Sequence, residues 1–343
     1  MKRLLNTLYV TTQGTYLAKE REAVLVRTDN ETKLRVPIHT LGGIVCFGRV
    51  SYSPAFMGLC GKNNVTVSHL TERGRFLARI QGPVSGNVLL RRQQYRKADE
   101  EPFCLRVARA IVSAKIANSR TSLLRAAREK PQSSGRSKIA QAAKYLARLV
   151  SALDDQQSIE SLRGKEGEAA HTYFGVIGHM ILAQREAFFL SERSRRPPLD
   201  NFNALLSFLY TLLALDVASA LEAVGLDPQV GYFHRERPGR PSLALDIMEE
   251  LRAYLVDRLA LNLINKLQIK AKGFKQTESG AVMMDDRTRK AVIVAYQKRK
   301  QKLITHPFLD EKISLGLLPH AQALLLARHI RGDVDGYPPF VWR

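Results

Sequence analysis

The sequence has 343 residues, long enough for two domains, and 45% of them are hydrophobic, which excludes a wholly disordered chain. Its 53 Lys and Arg residues against 32 Asp and Glu residues give a net charge of +21, which favours a polyanionic partner, most often nucleic acid, over a membrane surface or a ribosome. The apolar runs predict neither a membrane span nor a signal peptide, and the widely spaced Cys46, Cys60 and Cys104 predict reduced core residues of a cytoplasmic protein.

Short apolar runs separated by polar turns fill residues 3–50, a pattern typical of strands without intervening helices. The predicted strands are Leu4–Val10, Tyr16–Glu20, Ala23–Thr28, Leu34–Pro37 and Gly43–Cys46. Their close spacing favours antiparallel hairpins folded into a sandwich or a small barrel. A short helix over Ser53–Asn63, with Ser53 as its N-cap, and strands at Val65–His69 and Phe76–Ile80 complete this β-domain.

The hydrophobic period changes from two to about 3.6 near Gly82–Gly86. This change predicts a β-domain over residues 1–86 and a larger all-α domain over residues 87–343. The first predicted helices are Val88–Lys97, Phe103–Ala127 and Ile139–Leu153, with a loop at Pro131–Gly135. The second helix carries a stripe at helical spacing, formed by Leu105, Ala108, Ile111, Val112, Lys115 and Ile116.

The stretch LRGKEGEAAHTYF, from Leu162 to Phe174, places Glu166 between Gly164 and Gly167. Glycine costs about 1 kcal/mol in a helix interior relative to alanine, so the two glycines call for a reason other than helix propensity. One interpretation is that the missing side chains let a metal, a phosphate or a backbone approach Glu166. The other is that Gly164 ends a turn and Glu166 is a solvated acid in the first turn of a helix.

A Pro-Pro pair at Pro197 and Pro198 holds three arginines on a stiff turn before a long apolar helix over Ala204–Ala223. These arginines are Arg193, Arg195 and Arg196. Adjacent guanidinium groups on such a turn favour bidentate phosphate contact, although a surface loop with spare arginines fits equally well.

His234 precedes a basic Pro/Gly loop that contains Arg235, Arg237 and Arg240. A predicted helix then covers Ser242–Asp257, with Ser242 as its expected N-cap. On it Asp246 and Glu249 lie three residues apart and share one face. Together with Glu166, these residues provide an oxygen and nitrogen ligand set suited to Mg²⁺ or Mn²⁺.

A dense basic stretch over Arg287–Lys302 follows a probable helix start at Asp285 and Asp286. It contains Lys290, Lys298, Arg299, Lys300 and Lys302, and we predict a DNA-facing surface there. The tail Gly332–Arg343 carries the only tryptophan, Trp342. This tail packs either on its own domain or on a partner.

Two phrases resemble the CRISPR adaptation integrases, the universal CRISPR-associated endonucleases that insert new spacers. RRPPLDNFNALLSFLYTLL, from Arg195 to Leu213, closely resembles that family's R-x-P-P-x-D-x-x-N-A-L-L-S-F-x-Y-T-L-L pattern. VPIHTLGGIVCFG, from Val36 to Gly48, is similar to the family's N-terminal β-domain. The resemblance covers essentially the whole chain, and it implies an α+β protein with a small N-terminal β-sandwich domain for dimerisation and a larger all-α catalytic domain.

The resemblance implies that Glu166, His234 and Glu249 bind a catalytic Mg²⁺ or Mn²⁺ ion, with Asp246 as a supporting acid. The third ligand is Asp in many members and Glu here, so the choice between Glu249 and Asp246 stays open. Glu250 is expected to be a surface acid. The arginines at 193, 195, 196, 235, 237 and 240 are then expected to hold DNA backbone phosphates.

The implied reaction is spacer integration, in which a DNA 3′-hydroxyl attacks a phosphodiester of the repeat. The implied partners are double-stranded and branched DNA, a second copy of the chain in a homodimer, and a small ferredoxin-like companion Cas protein. A second hypothesis is a non-catalytic basic scaffold that binds DNA or RNA, with its carboxylates paired to arginines. A third is an RNA-modifying or ribosome-associated protein, which would bind structured RNA more tightly than branched DNA.

Overall fold

The computed structural model describes residues 5–83, 87–129, 135–190, 192–194 and 197–342. The chain divides into two compact units, one formed by Met1–Ser85 with Arg289–Gln297 and the other by Gly86–Thr288 with Lys298–Arg343. Residues 289–297 belong to the first unit, although the predicted boundary at residue 86 assigns them to the second. Within that unit, Arg289 donates a hydrogen bond to the carbonyl of Glu72. Residues 131–134 of the predicted loop lie outside the described residues.

The first unit contains strands and one short helix. In chain order they are β1 (Asn6–Val10), β2 (Thr15–Glu20), β3 (Ala23–Thr28), β4 (Glu31–Pro37), β5 (Leu41–Phe47), β6 (Val50–Tyr52), α1 (Pro54–Lys62), β7 (Thr66–Leu70) and β8 (Phe76–Ile80). The strands form two four-stranded sheets, in the orders β1-β5-β7-β8 and β4-β3-β2-β6. Ser53 caps α1 as predicted, because its Oγ accepts a hydrogen bond from the Phe56 amide at 3.1 Å.

The expectation of antiparallel hairpins holds for β2–β3, β3–β4 and β7–β8 but not for the other strand pairs of this unit. β5 runs parallel to both β1 and β7, and β6 runs parallel to β2. Consecutive strands do not always pair, because β1 and β2 belong to different sheets, as do β4 and β5. Side chains of both sheets, including Val10, Leu17, Val24 and Ile44, form one hydrophobic core with α1.

The three cysteines are free thiols in buried positions, as predicted. Burial raises the pKa of Cys46 and the pKa of Cys60 to about 12 each, and it raises the pKa of Cys104 to about 11. All three therefore stay protonated at neutral pH, as packing residues do.

The second unit is mainly helical. Its elements are α2 (Val88–Ala98), α3 (Glu101–Glu129), α4 (Arg136–Ser151), α5 (Ile159–Ile177), α6 (Asn201–Val224), α7 (Ser242–Leu251), α8 (Arg258–Asn265), β9 (Phe274–Gln276), β10 (Val282–Met284), α9 (Asp286–Lys300, which continues into the first unit), β11 (Leu303–Thr305), β12 (Lys312–Ser314) and α10 (Leu318–Arg331). The α+β class is therefore confirmed, but the all-α expectation for this domain is corrected by the hairpins β9–β10 and β11–β12. These strands have three residues each, too few for an alternating pattern to be recognised in the sequence.

The helix predicted over Ser242–Asp257 is two elements. The α-helix α7 ends at Leu251, and a π-helix covers Arg252–Asp257 before α8 begins. Ser242 is not the N-cap, because that position is held by Pro241, and the Ser242 hydroxyl instead donates to the Arg235 carbonyl at 3.1 Å. A π-helical turn places side chains at angles that an α-helix would not give them. Such turns are common at functional sites.

Helix α6 forms part of the core of the second unit. Its 24 residues are long and apolar enough, by length and composition alone, to cross a membrane, although the sequence was expected to hold no such segment. However, 61% of its most apolar window is buried inside the protein, which is the arrangement of a core helix.

The C-terminal tail packs on its own unit. The Phe340 amide donates to the Glu250 carboxylate, and the Phe340 carbonyl accepts from Asn118 Nδ2 at 2.8 Å. The Trp342 ring lies against the guanidinium groups of Arg125 and Arg258, whose carbons are 4.0 and 4.5 Å from the ring centroid. Glu250 is therefore not a surface acid: it is fully buried and anchors the tail.

Candidate metal-binding and catalytic site

Three distant segments of the second unit bring Glu166, His234 and Glu249 together. Glu166 lies on α5, Glu249 on α7 and His234 in the loop before α7. His234 Nε2 is 3.9 Å from Glu249 Oε1. Glu166 Oε1 and Glu249 Oε2 both contact the Lys115 ammonium, the latter at 2.6 Å. Lys115 therefore joins the two acids, and the imidazole lies beside the second of them.

Glu166 lies in the middle of α5 and not in its first turn, which removes the interpretation of a solvated first-turn acid. Helix α5 begins after Ser158, whose Oγ accepts from the Ser161 amide at 3.1 Å. A methyl group placed on Gly164 or Gly167 would meet no atom within 4 Å. The side-chain positions that the two glycines leave empty are therefore open space beside α5. No other part of the chain packs closely against them.

His234 is held by Asp246. Its Nδ1 lies 2.7 Å from Asp246 Oδ1, and the same carboxylate accepts hydrogen bonds from the backbone amides of Tyr232, Phe233 and His234 at 2.7 to 3.0 Å. A side chain on Gly231 would lie 2.7 Å from Asp246 Oδ2, so this tight wrapping of the loop needs glycine there. Asp246 is saturated by these donors, and it fixes the imidazole so that Nε2 points towards Glu249.

Glu249 lies between cations. Arg252 Nη1 is 2.9 Å from its Oε1, and Lys115 lies beside its Oε2. Burial by itself would raise the pKa of this carboxyl, but Arg252, Lys115 and His234 together hold the pKa below its ordinary value. Glu249 is therefore ionised at neutral pH, as a metal ligand must be.

A further buried acid supports the site from the end of the π-helix. Asp257 accepts hydrogen bonds from the hydroxyl groups of Tyr173 at 3.0 Å and Tyr210 at 2.6 Å. Burial raises the pKa of Asp257 to about 6, although the two hydrogen bonds lower it. The Arg252 guanidinium carbon lies 4.9 Å from the centroid of the Tyr210 ring. This network fixes α5, α6 and the π-helix to one another.

The donor set fits a hard divalent cation. Two carboxylates and one imidazole nitrogen are ligand types used for Mg²⁺ and Mn²⁺. Glu249 Oε2 is buried and lacks a hydrogen bond of good geometry, although it has Lys115 as an ion-pair partner. Within the described ranges, no group of three or more His, Cys, Asp or Glu side chains is arranged so that it could hold a metal ion. Lys115 instead contacts both acids from between them.

Lys115 and Arg252 are site residues that the sequence analysis missed. A signal for Lys115 was present, since it is the one charged residue in the helical stripe from Leu105 to Ile116. A charge on an apolar helix face needs a buried partner, and that requirement points to an acid on a facing element. The sequence gave no comparable signal for Arg252. Its side chain points towards Glu249 from the π-helix, which the sequence did not predict.

The predicted phosphate-binding arginines have different environments. Arg193 is half-buried and donates to Asn203 Oδ1, with its guanidinium carbon 5.5 Å from the centroid of the Tyr210 ring, so it is engaged within the unit. Arg195 and Arg196 lie outside the described residues. Arg235 and Arg237 are exposed and Arg240 is half-buried, and Arg235 contacts Glu160 at 3.2 Å.

The dense basic stretch near residue 300 is only partly a surface. Lys300 Nζ contacts Asp216 Oδ2 at 2.7 Å, and Arg299 donates to the Tyr254 carbonyl. Both side chains are buried, so the expectation that they face DNA is wrong. The charge of Lys300 is neutralised inside the second unit by Asp216, which lies on the mostly apolar helix α6.

Known proteins share both the sequence and the fold. A family profile described as "CRISPR associated protein Cas1" matches residues 8–298. A protein from Chlorobaculum tepidum, named "CRISPR-associated endonuclease Cas1 1", is 55% identical over 343 residues, which cover 100% of both chains. Matches of this kind cover the β-strands of the first unit and all segments of the candidate site.

Two solved structures share the fold. A chain of a "Cas6-RT-Cas1--Cas2 complex" aligns with a TM-score of 0.84 and 24% identity, covering 100% of this chain and 36% of that one. A "Casposase bound to integration product" aligns with a TM-score of 0.84 and 20% identity, covering 99% of this chain and 95% of that one. At such identities the likeness concerns the fold alone.

Proposed function

The chain belongs to the Cas1 family of CRISPR-associated proteins, and from that membership we propose that it is a metal-dependent DNA endonuclease and integrase that inserts new spacers into a CRISPR array. The observation that supports the proposal is that Lys115 contacts both Glu166 and Glu249, while His234 Nε2 lies 3.9 Å from Glu249 Oε1. Relatives named as endonucleases and a structural neighbour bound to an integration product support the same reaction class.

Glu166, His234 and Glu249 are the residues that would hold Mg²⁺ or Mn²⁺. A bound divalent ion would polarise the scissile phosphate and stabilise charge on the leaving oxygen. Asp246 keeps the His234 Nε2 atom directed inwards, since it occupies Nδ1 at 2.7 Å. Arg252 keeps Glu249 ionised and holds one of its oxygens at 2.9 Å.

In strand transfer, the 3′-hydroxyl oxygen of the incoming DNA forms a bond to a phosphorus atom of the repeat. The bond from that phosphorus to the 3′ oxygen of the repeat strand breaks. The attacking hydroxyl gives up one proton and the leaving oxygen takes one up, so one phosphodiester replaces another and no energy source is consumed. When water replaces the 3′-hydroxyl, the same site hydrolyses DNA.

Backbone phosphates are the proposed ligands of Arg235, Arg237 and Arg240 on the loop after His234, with Arg193, Arg195 and Arg196 on the loop before α6. Such contacts give affinity without reading sequence. The partners we propose are double-stranded and branched DNA, a second copy of the chain and a small ferredoxin-like companion protein; a structural neighbour that contains Cas1 and Cas2 supports the companion. The cytoplasm, where this DNA lies, is the proposed location.

Strand transfer of a prespacer into repeat DNA with Mn²⁺ tests the proposal. We expect Glu166→Ala and His234→Ala to lower transfer at least 100-fold, because each removes a metal ligand. Glu168→Ala is the matched control, since Glu168 is an acid on the same helix that pairs with Lys165 at 3.1 Å. Wild-type transfer by both ligand variants would refute the catalytic role and leave a non-catalytic nucleic-acid scaffold. Tighter binding of structured RNA than of branched DNA would favour an RNA-directed protein.

A further inference from the structure

Lys115 connects the two carboxylates that the proposed function uses. It lies on α3, its side chain is 13% exposed, and its ammonium contacts Glu166 of α5 and Glu249 of α7. Glu249 has a second cation, because Arg252 contacts its other oxygen. Lys115 therefore contacts the acid of α5 and the acid of α7 at the same time.

The ammonium lies where a cation shared by Glu166 and Glu249 would be bound. It contacts one oxygen of each acid, and the contacted oxygen of Glu249 is buried without a well-directed hydrogen bond. A primary ammonium is a compact point charge, so it can neutralise two carboxylates without the directional fit that a guanidinium requires. An ammonium and a divalent cation repel one another and cannot both lie between the same two oxygens.

The side chain has space to move into. A small cleft of about 30 Å³, with room for about two water molecules, borders Lys115 and is lined by Ser119, Ala169, Tyr173 and Asp257, among other residues. A lysine stem has four flexible carbons, so the ammonium can turn towards this cleft while α3 stays fixed. Ala169 is small, which keeps the cleft open beside the acids.

We propose that Lys115 is a positioning residue that acts as a resident counter-cation: it holds Glu166 and Glu249 together in the metal-free protein and leaves the space between them when a divalent cation binds. The proposal rests on the proposed function, since it takes the two acids as metal ligands. It predicts that Lys115 competes with the metal. A lysine with a merely structural role would instead support metal binding.

Calorimetric titration of the full chain with Mn²⁺ alone, at fixed pH and without DNA, separates these roles. Lys115→Met removes the charge with little change in length, and we expect it to bind Mn²⁺ about tenfold more tightly than the wild type. Lys115→Arg keeps a cation that pairs well with carboxylates, and we expect it to bind Mn²⁺ more weakly. Lys165→Met, which removes a charge next to Glu166 in sequence but directed at Glu168, should change the affinity less than twofold.

Thermal melting gives a second readout and covers a variant that folds poorly. Without metal, Lys115→Met should melt at a lower temperature than the wild type, because two acids lose their shared partner. Saturating Mn²⁺ should then raise its melting temperature by more than it raises that of the wild type. If Lys115→Met binds Mn²⁺ no more tightly than the wild type, the resident counter-cation is refuted.

Glu166→Gln distinguishes failure of this inference from failure of the proposed function. Wild-type protein should bind Mn²⁺ and Glu166→Gln should lose that binding. If the wild type binds Mn²⁺ and Lys115→Met binds it no more tightly, only the proposed role of Lys115 is refuted. If the wild type shows no binding that depends on Glu166, the proposed metal site and the role of Lys115 fall together.

Discussion

Glu249 and Glu250 are adjacent on α7 and both are buried, but the charges around them differ. Glu249 faces Lys115 and Arg252, which keep it ionised. Glu250 accepts hydrogen bonds from Gln322 at 3.0 Å, from the Tyr337 hydroxyl and from the Phe340 amide. Burial raises the pKa of Glu250 to about 7 despite these hydrogen bonds. One residue step along the helix thus separates a candidate ligand from an anchor of the tail.

The raised pKa of Glu250 predicts a pH dependence of stability. Between the unfolded value of 4.5 and the folded value of about 7, the folded protein keeps a proton that the unfolded chain releases. The contribution of Glu250 is therefore complete below pH 4.5 and is lost as the pH rises through 7, by about 3 kcal/mol. Glu250→Gln should remove this loss.

Urea denaturation from pH 5 to pH 8 measures the effect. The free energy of unfolding of Glu250→Gln minus that of the wild type should increase with pH over this range. Glu236→Gln, on the exposed loop after His234, is the control and should show a flat difference. A flat difference for Glu250→Gln as well would contradict the buried, titrating carboxyl.

Individual site residues differed in how well the sequence revealed them. Glu166, His234 and Glu249 are predicted as metal ligands by the motif and the family resemblance, and this role stays a prediction; the structure links Glu166 and His234 each to Glu249, the former through Lys115. The sequence leaves Asp246 and Glu249 as alternatives, and only coordinates show that the backbone amides of residues 232–234 donate to Asp246. Glu250 was misjudged because its partners, such as Phe340, are 90 residues away in the chain.

At the scale of elements, α5 presents an open surface around Glu166. Gly167 is one residue from Glu166, about 100° around the helix, whereas Gly164 is about 160° away. Neither position is crowded by the protein itself. If DNA approaches α5 at Glu166, a large side chain should be tolerated at Gly164 but should block access at Gly167.

We therefore expect Gly167→Leu to lower strand transfer about tenfold or more, while Gly164→Leu leaves it nearly unchanged. Both changes replace glycine in a helix interior, so neither should lower the melting temperature, and each gains up to about 1 kcal/mol in helix propensity. Equal transfer by the two variants would show that the open space beside Glu166 is not used by DNA.

The sequence predicted strands of five or six residues and the long helix α6 closely, but it missed the three-residue strands of the second unit. Strand β3 and strand β8 have the predicted ends, and α6 begins and ends within a few residues of the prediction. The parallel pairing of β5 was missed because register between distant strands is set by packing in the core. The π-helix was missed because its apolar residues 253–256 continue the apolar pattern of α7, and periodicity does not separate a π-turn from an α-turn.

At the scale of the whole molecule, the net charge of +21 implies that DNA binding depends strongly on salt. Each phosphate contact contributes about 0.9 to the slope of log affinity against log salt concentration. Arg237 is exposed on the loop after His234. Arg237→Ala should reduce the slope by about one and weaken binding similarly for all sequences.

Fluorescence anisotropy with branched DNA at several salt concentrations measures this slope. Arg331→Ala is the control, because Arg331 is exposed and pairs with Asp333 at 2.6 Å. It should leave the slope unchanged. An unchanged slope for Arg237→Ala would remove Arg237 from the DNA-binding surface. Net charge alone predicted a polyanionic partner, but it could not show which cations, such as Arg299 and Lys300, are consumed inside the fold.

The contacts of Lys115 with α5 and α7 bear on whether the protein can fold and be stored without a metal ion. Many small metal-binding domains unfold in chelator, because nothing else offsets their ligands. Here an amine of the chain itself lies against the acids, so the proposed site does not need a metal ion to offset its charge. A sample held in EDTA should therefore remain folded, and its melting temperature should match that of a sample without chelator and without added metal.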